Sequence, residues 1–149
     1  MDRYDIWGQG QHASAHMLTL LLEAAVTVED TKVLTVLTDL LADLPPVTWI
    51  GQTSPVSTTR QLGAAAVKLG KPHAARVHYQ QALEVCEKIH FRPEIALTRL
   101  GLAELLLEHY PEERAQAIGH LDFAIAEFRD MKMQPSLERA LRHRGLLKA

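Results

Sequence analysis

Cysteine is almost missing from this chain: Cys86 is the only one in 149 residues. No intrachain disulfide can form, and one thiol among apolar neighbours suits a reducing cytoplasm. Aromatic residues are scarce, at 5%, and β-branched residues form no alternating runs, which argues against a sheet protein. No apolar run approaches the roughly 20 residues of a membrane span. The longest candidate, Met17 to Val28, is broken by Thr19, Glu23 and Thr27. Met1 to Gln11 lacks the charged-then-apolar order of a signal peptide, so no leader and no membrane are expected. A strong excess of charge of either sign is missing too. The formal charge is −2 and the pI about 6.4, which weighs against nucleic acid and against an anionic membrane as partners.

Reactive constellations are equally thin. The stretch "GAAAVKLGKP" departs from a phosphate loop at Ala65, where a glycine is needed, and at Pro72, where Ser or Thr should hold magnesium. His12 and His16 could share a helical face, but no Glu lies between them and no metal site is expected. His78 and His120 stand 42 residues apart and flank an apolar stripe, a pattern that suits a partly buried, hydrogen-bonded role. Cys86 lies on that stripe and reads as a small core residue rather than a nucleophile. No G-x-S-x-G elbow occurs. The basic tail residues Arg139, Arg142, Arg144 and Lys148 complement a helix dipole. No catalytic residue, metal or cofactor is assigned, and the chain is expected not to be an enzyme.

What the chain has is Leu, Ala and well-placed proline. Apolar residues reach 47%, enough for one domain with a sizeable core. Pro72, Pro93, Pro111 and Pro135 each precede an amphipathic stretch, where a missing N–H loses nothing. Glu94, Glu112 and Glu113 then place carboxylates in the first turn, which the helix dipole favours. Asp30 or Thr31 can cap a helix, and Gly70 can stop one. These signals predict an all-α chain with helices over 12–26, 31–44, 57–69, 72–90, 93–109, 112–131 and 135–148. The segment 45–56, with three prolines and Gly51, reads as a long loop carrying Trp49, which is expected to pack over the helices. Residues 1–11 are expected to be mobile, and 12–149 to form a single domain.

An internal repeat organises the helices. Ala75, Tyr79, Ala82, Cys86 and Ile89 follow steps of 4, 3, 4 and 3, which lie on one helical face. Adding 42 gives Ala117, Leu121, Ala124, Phe128 and Met131. Subtracting 42 gives Val33, Leu37, Leu40, Leu44 and Val47. Every one of these positions is apolar, and a repeat of this length implies stacked helical hairpins.

Leu62, Gly63, Gly70, Ala75, Tyr79 and Ala82 resemble the tetratricopeptide-repeat (TPR) pattern, and Leu100-Gly101 begins another copy. The pattern departs at Thr59 and Ala66, where aromatics are expected, and around "EHYPEER", which adds about four residues. Residues 17–148 more broadly resemble the C-terminal TPR-like region of large bacterial signal-transduction ATPases, including nucleotide-cyclase regulators. The resemblance implies an α-solenoid of about three hairpins with a C-terminal capping helix over 135–148. It also implies a non-catalytic protein–protein interaction or regulatory module, whose peptide or protein partner binds a concave groove. Its groove positions fall on Arg60, Ala64, Lys68, Thr98 and Leu102, and the two cations suggest an acidic ligand. The alternative it implies is a small-molecule effector-sensing domain of a signalling ATPase or transcriptional regulator. The first helix is apolar on more than one side, which suggests a homodimer through the N-terminal hairpin or a missing upstream partner.

Overall fold

The computed structural model describes residues 4–42, 48–49 and 56–146, with side chains over 15–42 and 57–145. The protein is all-α. Its helices are α1 (Tyr4–Val28), α2 (Thr31–Leu41), α3 (Thr58–Lys68), α4 (Pro72–Lys88), α5 (Arg92–His109), α6 (Arg114–Asp130) and α7 (Gln134–Leu146). A 3-10 turn, Pro111–Glu113, leads into α6. Within the long connector, β1 (Thr48–Trp49) pairs antiparallel with β2 (Val56–Ser57) for two residues each, which brings the chain back to the start of α3.

Local chemistry explains the helix starts. The Asp30 carboxylate accepts from the N–H groups of Lys32 and Val33, both at 3.1 Å, and caps α2. The Ser57 hydroxyl accepts from Arg60 N at 3.2 Å and caps α3. Such caps each contribute about 1 kcal/mol. Proline stands in the first turn of α4 and of α5. The first helix starts earlier than the predicted 12: α1 begins at Tyr4. The side chains of His12 and Trp49 lie outside those described.

The same stop is used four times. Glu29, Gly70, His90 and Lys132 each take a left-handed φ between 53° and 67° just after a helix. In each case the next N–H reaches back five residues: Asp30 to Ala25, Lys71 to Ala66, Phe91 to Cys86 and Met133 to Phe128. This satisfies carbonyls that the helix end would otherwise leave open. Only Gly70 adopts that conformation without a steric cost. Changing both His90 and Lys132 to Gly is therefore expected to raise the unfolding free energy by about 1 kcal/mol. A urea titration checks this, and a lower midpoint would contradict it.

Packing runs between neighbours along the chain, α1 on α2 and α3, then α3 on α4, α4 on α5, α5 on α6 and α6 on α7. The core divides the same way. Leu22, Leu34, Leu37, Leu41 and Leu62 join α1, α2 and α3. Ala75, Tyr79, Leu102 and Leu105 form the middle cluster with Ala66. Leu100, Leu121, Phe128, Leu137 and Ala140 join α5, α6 and α7. Serial cores of this kind accord with a helical-repeat arrangement. The second and third stripes are buried through Cys86 and through Phe128. The first is not. Val33 and Leu40 are exposed, Leu34, Leu37 and Leu41 point inward, and Leu44 and Val47 lie outside the described residues. The period of 42 is too long by one residue there, and one residue turns a helix by about 100°.

Candidate binding groove

The odd-numbered helices line a common groove. One hollow, of about 160 Å³, is walled by Glu23 and Val26 of α1, Arg60 and Gln61 of α3, and Leu97 of α5. A second, of about 320 Å³, is walled by Lys68, Glu104, Leu105, Glu108 and His143. Val26, Ala64, Tyr79, Gly101 and Arg139 belong to both, so the two form one continuous cleft.

Tyr79 of α4 forms its floor. A Cβ built on Gly63 would stand 2.8 Å from Cδ1 and Cε1 of the Tyr79 ring. One on Gly101 would stand 2.8 Å from Cζ. Two glycines thus admit the ring between α3 and α5, and this close approach is why the Leu-Gly pairs stand where they do. Burial pushes the Tyr79 phenol up to about 12, with the Glu104 carboxylate acting in the same direction.

The walls are tied by ion pairs. Arg60 Nε and Nη2 donate to the two oxygens of Glu94 at 2.6 and 3.0 Å. The Glu94 side chain is 2% exposed and that of Arg60 13%. Burial works against the guanidinium's charge, but Glu94, aided by Glu23, outweighs it and raises the Arg60 pKa above its ordinary value. Lys68 donates to Glu29. Arg139 donates through Nε to Glu104 at 2.6 Å, and His143 Nε2 lies 2.8 Å from the same carboxylate. Away from the groove, Arg76 grips Glu113 at 2.7 and 2.8 Å, and Arg92 donates to Glu127 at 2.7 Å. These cross-links join residues 34 to 39 apart in sequence, about one repeat.

Arg60, Ala64 and Lys68 therefore do lie together on the groove. Thr98 and Leu102 do not line it. Thr98 is fully buried, with its hydroxyl donating to the Glu94 carbonyl at 2.7 Å. Leu102 is buried in the middle cluster beside Tyr79. The groove positions of α5 are Leu97, Gly101, Glu104, Leu105 and Glu108. Matching Leu100-Gly101 to Leu62-Gly63 places α5 one residue out. Gly63 and Gly101 touch the same tyrosine from two different helices and so do not occupy equivalent faces. Glu94 is likewise more than a first-turn dipole residue, and Arg139 and Arg144 of the basic tail are engaged by Glu104 and Asp122. The recurrence of Arg and Glu about one repeat apart was the signal in the sequence that could have found these pairs.

Among the described residues, no group of three or more His, Cys, Asp or Glu is placed to hold a metal, and no helix is long and apolar enough to cross a membrane. Cys86 is fully buried. His78 and His120 are half-buried, and burial lowers both pKa values below 6.5, helped at His120 by Arg99. Their neutral forms are favoured in the fold, so the stability they contribute is present above pH 6.5. It is lost as pH falls through their depressed folded values, because the unfolded chain takes up protons first. His120→Gln is expected to flatten that acid-side loss. Urea midpoints measured from pH 7 down to about 5 check it.

A second surface lies on the first hairpin. Met17, Leu21 and Val28 of α1 and Val33, Val36 and Leu40 of α2 are exposed. Comparison of the chain with protein-family models, with curated proteins and with solved structures finds no match.

Proposed function

We propose that this chain is a non-catalytic interaction or regulatory module of the TPR kind, which takes a segment of a peptide or protein partner in the groove between α1, α3, α5 and α7. The observation that carries this reading is the continuity of the cleft. Four helices far apart in sequence contribute to one surface, with apolar atoms from Val26, Leu97 and Leu105 beside charged and amide groups. That mixture suits an extended chain, whose backbone needs polar partners and whose side chains need apolar contact. Taken as one cleft, the two hollows are also of a size that could hold a small molecule, and an effector-sensing domain of a signalling ATPase or transcriptional regulator is the alternative reading.

An Arg60→Glu change would be a poor test, because it sets two carboxylates together in a buried site. Ala64→Trp fills the cleft from its centre instead, and Val77→Ala, on the exposed side of α4, serves as the control. With equal helicity confirmed, a partner captured by the parent and the control is expected to be lost with Ala64→Trp. Retention by all three sinks the groove reading. A metabolite that stabilises the parent but not Ala64→Trp would move the reading to the effector sensor.

The exposed apolar residues of α1 and α2 support a homodimer through the N-terminal hairpin as a second contact. Sedimentation of the parent against Val36→Lys/Leu40→Lys tests it. A monomeric parent at high concentration sinks it.

A further inference from the structure

We propose that the groove's occupant is an extended peptide presenting a lysine or arginine side chain to Glu23 and a backbone carbonyl to Gln61. The inference rests on the groove reading above and names the chemistry of the partner. It also reverses the acidic ligand that Arg60 and Lys68 suggest when read as free cations.

None of the groove's arginine or lysine charges is free. Arg60 is held by both oxygens of Glu94, Lys68 by Glu29, and Arg139 by Glu104. An acidic ligand at Arg60 or Arg139 would have to displace Glu94 or Glu104 and leave that carboxylate in a largely buried site, whereas Lys68 and Glu29 form an exposed pair whose charges cancel. The carboxylates are in the opposite position. Glu23 is half-buried, lines the narrower hollow, and has no ion pair among the described residues. Its nearby cation, Arg60, is already spent on Glu94. At the far end Glu108 faces the wider hollow, and among the described residues its ion-pair partner is His109, at 3.8 Å. The uncommitted charge along the cleft is therefore negative, and it attracts a cation.

The second observation is independent of charge. Gln61 is 2% exposed, lines the same hollow as Glu23, and its Nε2 has no hydrogen-bond partner. A buried amide donor without an acceptor is uncommon in a folded protein and costly to maintain. A carbonyl oxygen brought into the hollow would satisfy it. An extended peptide supplies both groups at once, a carbonyl at every residue and a cation at one, while Val26, Leu97 and Leu105 accept its apolar atoms.

The test uses three pools of synthetic octapeptides, degenerate except for one central position fixed as Lys/Arg, as Asp/Glu, or as Gln. Retention is measured on the immobilised chain and on its Glu23→Gln, Gln61→Leu and Ala64→Trp variants, each first checked for parent-like helicity. The basic pool is expected to be retained about tenfold over the Gln pool. Glu23→Gln should erase that preference. Gln61→Leu should weaken the basic pool about fivefold while leaving the preference in place. Ala64→Trp should abolish retention. Preference for the acidic pool, or a basic preference that survives Glu23→Gln, overturns the proposal but leaves the groove reading standing if Ala64→Trp still abolishes binding. Retention of no pool, or retention indifferent to Ala64→Trp, overturns both.

Discussion

Glu94→Ala is expected to lower the unfolding free energy by about 3–5 kcal/mol, the usual cost of stranding one member of a buried pair. Two facts set the size. The Glu94 side chain is almost fully buried, and Arg60 reaches it through two nitrogens from the preceding hairpin. Without the carboxylate, the guanidinium stays in a site that opposes its charge. Total stabilities of single domains run to about 5–15 kcal/mol, so the loss should be visible as partial unfolding at 37 °C. Arg60→Met/Glu94→Leu should cost less than Glu94→Ala, because no unpaired charge remains. Chemical denaturation of both variants checks the pair. A Glu94→Ala loss under about 1 kcal/mol would mean that the pair behaves as a surface ion pair.

Gly63→Ala and Gly101→Ala are each expected to destabilise by about 1–3 kcal/mol, although alanine is the better helix former by about 1 kcal/mol. The added methyl would stand 2.8 Å from ring atoms of Tyr79 in either variant. The ring has little room to turn away, because the other glycine's helix faces it as well. The double variant should lose more than the sum of the two, since each single change consumes the room the other would need. Gly119→Ala in α6 is the internal contrast. Nothing lies within 4 Å of its added Cβ, so the ordinary helix gain should appear as a small stabilisation. Thermal melts of the four proteins give the comparison. A neutral Gly101→Ala would remove Tyr79 as the fixed floor of the groove.

The same residues show how much of the site could be read in advance. Ala75, Tyr79 and Ala82 were read as one apolar helical face by their spacing, and all three are buried, with the Tyr79 ring against Gly63 and Gly101. Arg60, Ala64 and Lys68 were placed on the groove by the TPR resemblance, and they line the cleft together because they share one face of α3. Thr98 and Leu102 were misplaced because carrying a face from α3 to α5 requires the rotation of one helix relative to another. Glu23 and Gln61 carried no signal at all. A half-buried carboxylate and an orphaned amide become visible only when the walls around them are in place.

The sequence by itself determined the class and the punctuation: all-α, with starts at Asp30, Pro72 and Pro93 and a stop at Gly70. These depend on contacts within a turn or two, such as a cap, a missing N–H or a left-handed φ. Tertiary structure alone decided which face of each helix meets its neighbour, which arginine finds which carboxylate, and that the groove's cations are already taken. The reason is geometric. A one-residue difference in repeat length turns a face by about 100°. Burial and charge pairing depend on that angle, and no single repeat contains it.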